Sequence, residues 1–143
     1  MIDYILDNMA VGHYGLHKKA RALRDSSGIE YTICEEIAHE QRLASDDEHR
    51  RAVKEAAMNL SSVDNFSLLA SLANEMIGIG ALDLDEGGGD VMVVYEALSE
   101  RQPNLFVKER IVVSDDLGVR ACCDVHNQKW IGTEEYREQI ELP

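Results

Sequence analysis

The stretch that most constrains this chain runs from Asp64 to Leu84, DNFSLLASLANEMIGIGALDL, the most apolar run in the sequence. Phe66, Leu69, Ala73 and Met76 share one helical stripe, and Leu68, Leu72 and Ile79 share a neighbouring one. Two apolar stripes leave a helix little face for water, so the spacing predicts a buried central helix over about 64–79, with Asp64 as its N-cap. The run also contains Ser67, Ser71, Asn74 and Glu75, which makes it a poor membrane span.

The rest of the chain is arranged around that helix. A length of 143 residues predicts a single domain over 1–143 with enough chain to bury a core without staples. IDYIL at 2–6 alternates like a short strand, and Leu16, Ala20 and Leu23 recur at helical spacing over about 13–25. IEYTI at 29–33 reads as a strand ending near Thr32, followed by a helix over 33–44. Ser45 and Glu48 form a capping box that opens a helix reaching Leu60. The glycines of DEGGGD mark a turn. Val91, Val94, Tyr95 and Leu98 then suit a helix capped by Asp90.

The C-terminal block carries the clearest β pattern. LFVKERIVV alternates, SDDLG reads as a hairpin loop with Gly118 at positive φ, and VRACCDVH alternates again. Asn127 and Gln128 form a second tight turn, KWIG a third strand, and Thr133 starts a closing helix. The expected fold class is therefore α+β: an antiparallel β-meander over about 104–132 packed on four to five helices, with the central helix across its apolar face.

Charge narrows the function classes. Asp plus Glu number 27 against 14 Lys plus Arg, for a net charge of −13. Residues 64–143 hold 16 acids against 6 bases, most of the imbalance. Such a surface repels nucleic acid and anionic lipid and attracts basic protein surfaces. The cysteines, Cys34, Cys122 and Cys123, are odd in number, which fits a reducing compartment; MIDYILDNMA lacks the basic start of a signal peptide. A cytoplasmic protein is expected.

Several residues invite a chemical reading. On an alternating strand, Arg120, Cys122, Asp124 and His126 share the polar face, the types that serve nucleophilic catalysis. Strand geometry would separate Cys122 from His126 by roughly 13 Å, so a partner from another element would be required. Glu75 is a lone carboxylate in the apolar helix, where burial would make it a general acid. His13 and His17 have the one-turn spacing of two metal ligands, but no third ligand follows, and no cofactor is expected. Residues 7–33, DNMAVGHYGLHKKARALRDSSGIEYTI, resemble the first strand and helix of dual-specificity phosphatases. The resemblance implies no activity, because the required Cys with an Arg six residues later is missing: Glu40, Gln128 and Lys129 stand at that distance from the three cysteines.

The leading expectation is a non-enzymatic regulatory or inhibitory protein. It would dock on a basic partner surface, such as that of a nuclease or nucleic-acid-binding protein, through Asp83, Asp85, Glu86, Asp90, Asp115 and Asp116. It would bind neither nucleic acid directly nor membrane. The alternatives are a small enzyme using Cys122, Asp124 and His126 on the sheet's polar face, and a homo-oligomeric structural protein, possible as a homodimer.

Overall fold

A computed structural model of the chain describes residues 2–7, 30–34, 59–61, 64–80, 89–99 and 109–141, with the backbone alone given for 30–34, 59–61, 89 and 141. In chain order the elements are β1 (Ile2–Leu6), β2 (Glu30–Cys34), β3 (Asn59–Ser61), α1 (Phe66–Gly78), α2 (Gly89–Leu98), β4 (Glu109–Val113), α3 (Leu117–Val125), β5 (Trp130–Ile131) and α4 (Thr133–Glu141). The expected helix over 13–25 and the loop glycines Gly87 and Gly88 lie outside the described residues, while Ile33 and Cys34, expected to open a helix over 33–44, belong to β2 and Gly89 to α2; the remainder of that expected helix lies outside the described residues.

The five strands form one sheet in the order β3-β2-β1-β4-β5, and every pairing is parallel. This overturns the antiparallel meander. Strands in a parallel sheet are covered on both faces and read as near-continuous apolar runs. YIL in β1 and IVV in β4 are buried along both faces, as that rule requires. The register pairs Asp3 with Arg110, Tyr4 with Ile111 and Ile5 with Val112. Asp3, Ile5, Arg110 and Val112 thus share one face, where Arg110 reaches Glu96 of α2 at 2.7 Å. Tyr4 is on the other, where its ring meets Tyr136 of α4 with centroids 5.1 Å apart. Helices therefore cover both faces, the doubly wound α/β arrangement.

The central helix was misplaced by one element. In α1 only Leu72 and Met76 are buried, while Phe66 is 73% and Ile79 48% exposed. The helix buried all round is α2, from Val91 to Ala97, which lies on β1, β2 and β4 beneath α1 and α3. An outer helix needs only one apolar stripe. Its N-cap is Asn65, whose side chain accepts from Leu68 N, not Asp64. Asp64 instead accepts from the Tyr95 hydroxyl at 2.6 Å, and that oxygen accepts from the backbone N–H groups of Asp64 and Asn65.

Two further readings fail on period. Leu60 belongs to β3, not to the end of a helix. Residues 117–125 are helical: Asp116 caps α3 by accepting from Val119 N at 2.9 Å, so SDDLG is a helix start rather than a hairpin loop, and Gly118 lies inside the helix. Val119, Cys122 and Cys123 are buried at i, i+3 and i+4, while Ala121 and Val125 are exposed. The α3 helix ends at a turn in which Asn127 takes φ 54°, a left-handed conformation that asparagine tolerates. The expected strand 2–6, the helix over 91–98 and the helix from Thr133 are present.

Candidate functional site

In an open parallel sheet, ligands bind beyond the carboxyl ends of the strands where the strand order reverses. Here the chain fills β2 and β3 on one side of β1, then returns to place β4 and β5 on the other. The reversal falls between β1 and β4. Asp7 follows the last residue of β1 and Ser114 the last residue of β4.

Both side chains are buried there. Ser114 Oγ donates to Asp7 Oδ2 at 2.5 Å and accepts from the backbone N–H of Asp116 at 3.1 Å. The serine therefore orients the carboxylate. Asp116 is exposed at the N-terminus of α3. Asp115 is fastened: its Oδ1 accepts from Arg120 Nη2 at 3.1 Å and from the backbone N–H of Thr133 at the start of α4 at 2.9 Å. A Cβ on Gly132 would lie 3.0 Å from Arg120 Nη2 and 3.1 Å from Asp115 Oδ1, so the close approach favours glycine.

Asp90 faces the same edge. Glu96, near the end of α2, is held by Arg110 beside Asp3 at the amino ends of the strands, so α2 runs back with its first turn toward the carboxyl ends. Asp90 is half-buried in that turn. Asp7, Asp90 and Asp116 thus all lie at the carboxyl edge of the sheet. Carboxylates of this kind suit a hard divalent cation, and Mg²⁺ in particular is commonly held by one or two carboxylates together with waters and substrate phosphate oxygens.

A second set of ligand-type side chains lies between α1 and α3. Glu75 Oε2 and His126 Nε2 are 2.7 Å apart, and Cys122 Sγ joins them with all three ligand atoms within 4.8 Å of one another. The expected 13 Å separation of Cys122 and His126 fails because both sit on α3, one helical turn apart. Burial, then the Glu75 carboxylate, pushes the Cys122 thiol up to about 11. Asp124 is not part of this group; its Oδ1 accepts from Trp130 Nε1 at 2.8 Å, beneath an Arg120 guanidinium 4.5 Å from the Trp130 ring centre.

Of the residues expected to dock a partner, Asp90, Asp115 and Asp116 stand at the carboxyl edge, while Asp83, Asp85 and Glu86 lie outside the described residues, as do His13 and His17. Sequence reasoning missed Asp7 and Ser114. Their signal was available: YIL and IVV are each followed by a polar residue at the point where a buried strand must end. Among the described residues no helix is long and apolar enough to cross a membrane. Comparison with protein-family models and with curated proteins finds no match to this chain.

Proposed function

We propose that the protein is a divalent-cation-dependent hydrolase of phosphate esters working at the carboxyl edge of its sheet. The observation that carries this reading is the buried Asp7 carboxylate, oriented by Ser114 at the point where the strand order reverses. Asp7 and Asp116 would hold the cation, with Asp90 reaching it through water. Such a cation would supply Lewis-acid polarisation of a phosphoryl oxygen and help activate a water as nucleophile. It also answers the charge problem, because a chain of net −13 attracts a phosphate only through a bridging cation.

The test uses the full chain freed of metal by chelation, with bis-p-nitrophenyl phosphate and p-nitrophenyl phosphate as probes. Hydrolysis that needs added Mg²⁺ or Mn²⁺ and falls at least a hundredfold in Asp7→Asn is the expected result. Turnover indifferent to cation, or to Asp7→Asn in a folded variant, defeats the reading.

The excess acidity also favours a second reading, in which the same edge docks a basic protein surface through Asp115 and Asp116. That reading expects binding that weakens steeply with added salt and no phosphatase activity. Binding that survives neutralising both aspartates counts against it.

A further inference from the structure

We infer that Glu75, Cys122 and His126 form a zinc site between the carboxyl ends of α1 and α3, separate from the edge that holds Asp7. About 15 Å of helix separates His126 from Asp116 at the other end of α3. A tetrahedral zinc ion spaces its ligand atoms by roughly 3.3–3.7 Å, given bond lengths of about 2.0–2.3 Å. The three ligand atoms already lie within 4.8 Å of one another, so side-chain movements on the order of an ångström complete the set. Glu75 and His126 have room for that adjustment, their side chains being 24% and 33% exposed. Cys122 is buried and supplies the fixed point.

Two independent features call for a cation there. Glu75 Oε1 is buried with no hydrogen-bond partner among the described residues. A buried carboxylate oxygen without a donor is costly, and a metal ion supplies the missing partner. Glu75 also lies in the last turn of α1, and His126 caps the end of α3. The partial negative charges of two helix ends therefore meet at the site, and neither helix places Lys or Arg in its last turn to offset them.

The donor set selects the metal. One thiolate, one imidazole and one carboxylate suit zinc, whereas magnesium and calcium take oxygen ligands. On binding, Cys122 gives its proton to solvent and the S–Zn bond replaces S–H. The partial exposure of Glu75 and His126 leaves the fourth position to water.

The experiment is a Co²⁺ titration of the chelator-treated full chain, followed by Zn²⁺ competition. One thiolate-bound Co²⁺ per chain is expected, with thiolate-to-cobalt charge transfer and the intense visible bands of a four-coordinate ion, whereas Co²⁺ on the carboxylates of the sheet edge would give no charge-transfer band. Cys122→Ser should abolish the charge-transfer band. His126→Gln and Glu75→Gln, both at partly exposed positions, should each weaken zinc binding by roughly 100-fold or more while the far-ultraviolet circular dichroism stays native. Asp7→Asn should leave the cobalt spectrum intact, which separates this site from the one at the carboxyl edge. No charge-transfer band in the folded protein, or a band of unchanged affinity in folded His126→Gln and Glu75→Gln, overturns the assignment and leaves Glu75 and His126 as a hydrogen-bonded pair tying two helices.

Discussion

Arg110 joins the sheet to its inner helix. Its Nε donates to Asp3 Oδ2 at 3.0 Å, its Nη1 to the Glu96 carbonyl at 2.6 Å and its Nη2 to Glu96 Oε1 at 2.7 Å. Asp3 and Glu96 are both buried. Removing the guanidinium leaves two buried carboxylates without it, so Arg110→Ala should lose about 3–5 kcal/mol of stability in urea unfolding. A loss below 1 kcal/mol would show that water or another donor replaces it. The thiols of α3 set a pH limit. Burial, then Glu75, pushes Cys122 up to about 11, and burial, then Cys122 and Asp124, pushes Cys123 up to about 12, both from an ordinary 9.0. A raised folded value means that their contribution to stability is whole below pH 9.0 and drains away as pH climbs through about 11 to 12. Urea midpoints should therefore fall over that window, and Cys123→Ala should flatten the fall. An identical slope in the variant would assign the decline to other groups, among them Tyr4, whose hydroxyl is also raised, first by burial.

At the scale of elements, α1 and α2 exchange the roles their sequences suggest. The α1 helix buries the middle of both apolar stripes, Leu72 and Met76 with Leu68, Leu69 and Ala73 partly covered, and leaves the end residues Phe66 and Ile79 exposed, because it sits outside α2. Truncating the buried middle should therefore be costly and truncating the exposed ends should not. Leu72→Ala should lose about 2–5 kcal/mol, and Phe66→Ala should stay within about 0.5 kcal/mol. Equal losses on denaturant unfolding would show that Phe66 is covered in solution. The α2 helix was legible as a helix from Val91, Val94, Tyr95 and Leu98, but nothing local in DVMVVYEAL tells an outer helix from one enclosed between a sheet and two further helices. The α3 helix shows how a short run misleads. Val119, Ala121, Cys123 and Val125 alternate over seven residues, and over so short a span the helical set Val119, Cys122, Cys123 fits equally well. The cap at Asp116, three residues before Val119, was the deciding local signal.

For the whole molecule, the excess of 27 acids over 14 bases dominates its response to solution conditions. Self-repulsion of like charges opposes compaction and is screened by salt. Stability should rise with added KCl, read as an upward shift of the urea midpoint. A falling midpoint would mean that pairs such as Arg110 with Asp3 and Glu96, or Lys129 with Glu109 at 3.4 Å, outweigh the net repulsion. The sequence by itself determined the charge and several of the elements, since each follows from residues within one or two turns of one another. Ile2–Leu6, the helix over 91–98 and the helix from Thr133 are of that kind, although α2 begins at Gly89 and holds Asp90 in its first turn rather than as its cap. Strand direction was not, because a parallel pairing such as Ile5 with Val112 joins segments more than a hundred residues apart and leaves no local mark beyond apolar runs. Both candidate sites depend on that nonlocal arrangement. Asp7 meets Ser114 only because β1 and β4 lie side by side and end together, and Glu75 meets Cys122 and His126 only because α1 and α3 pack over α2.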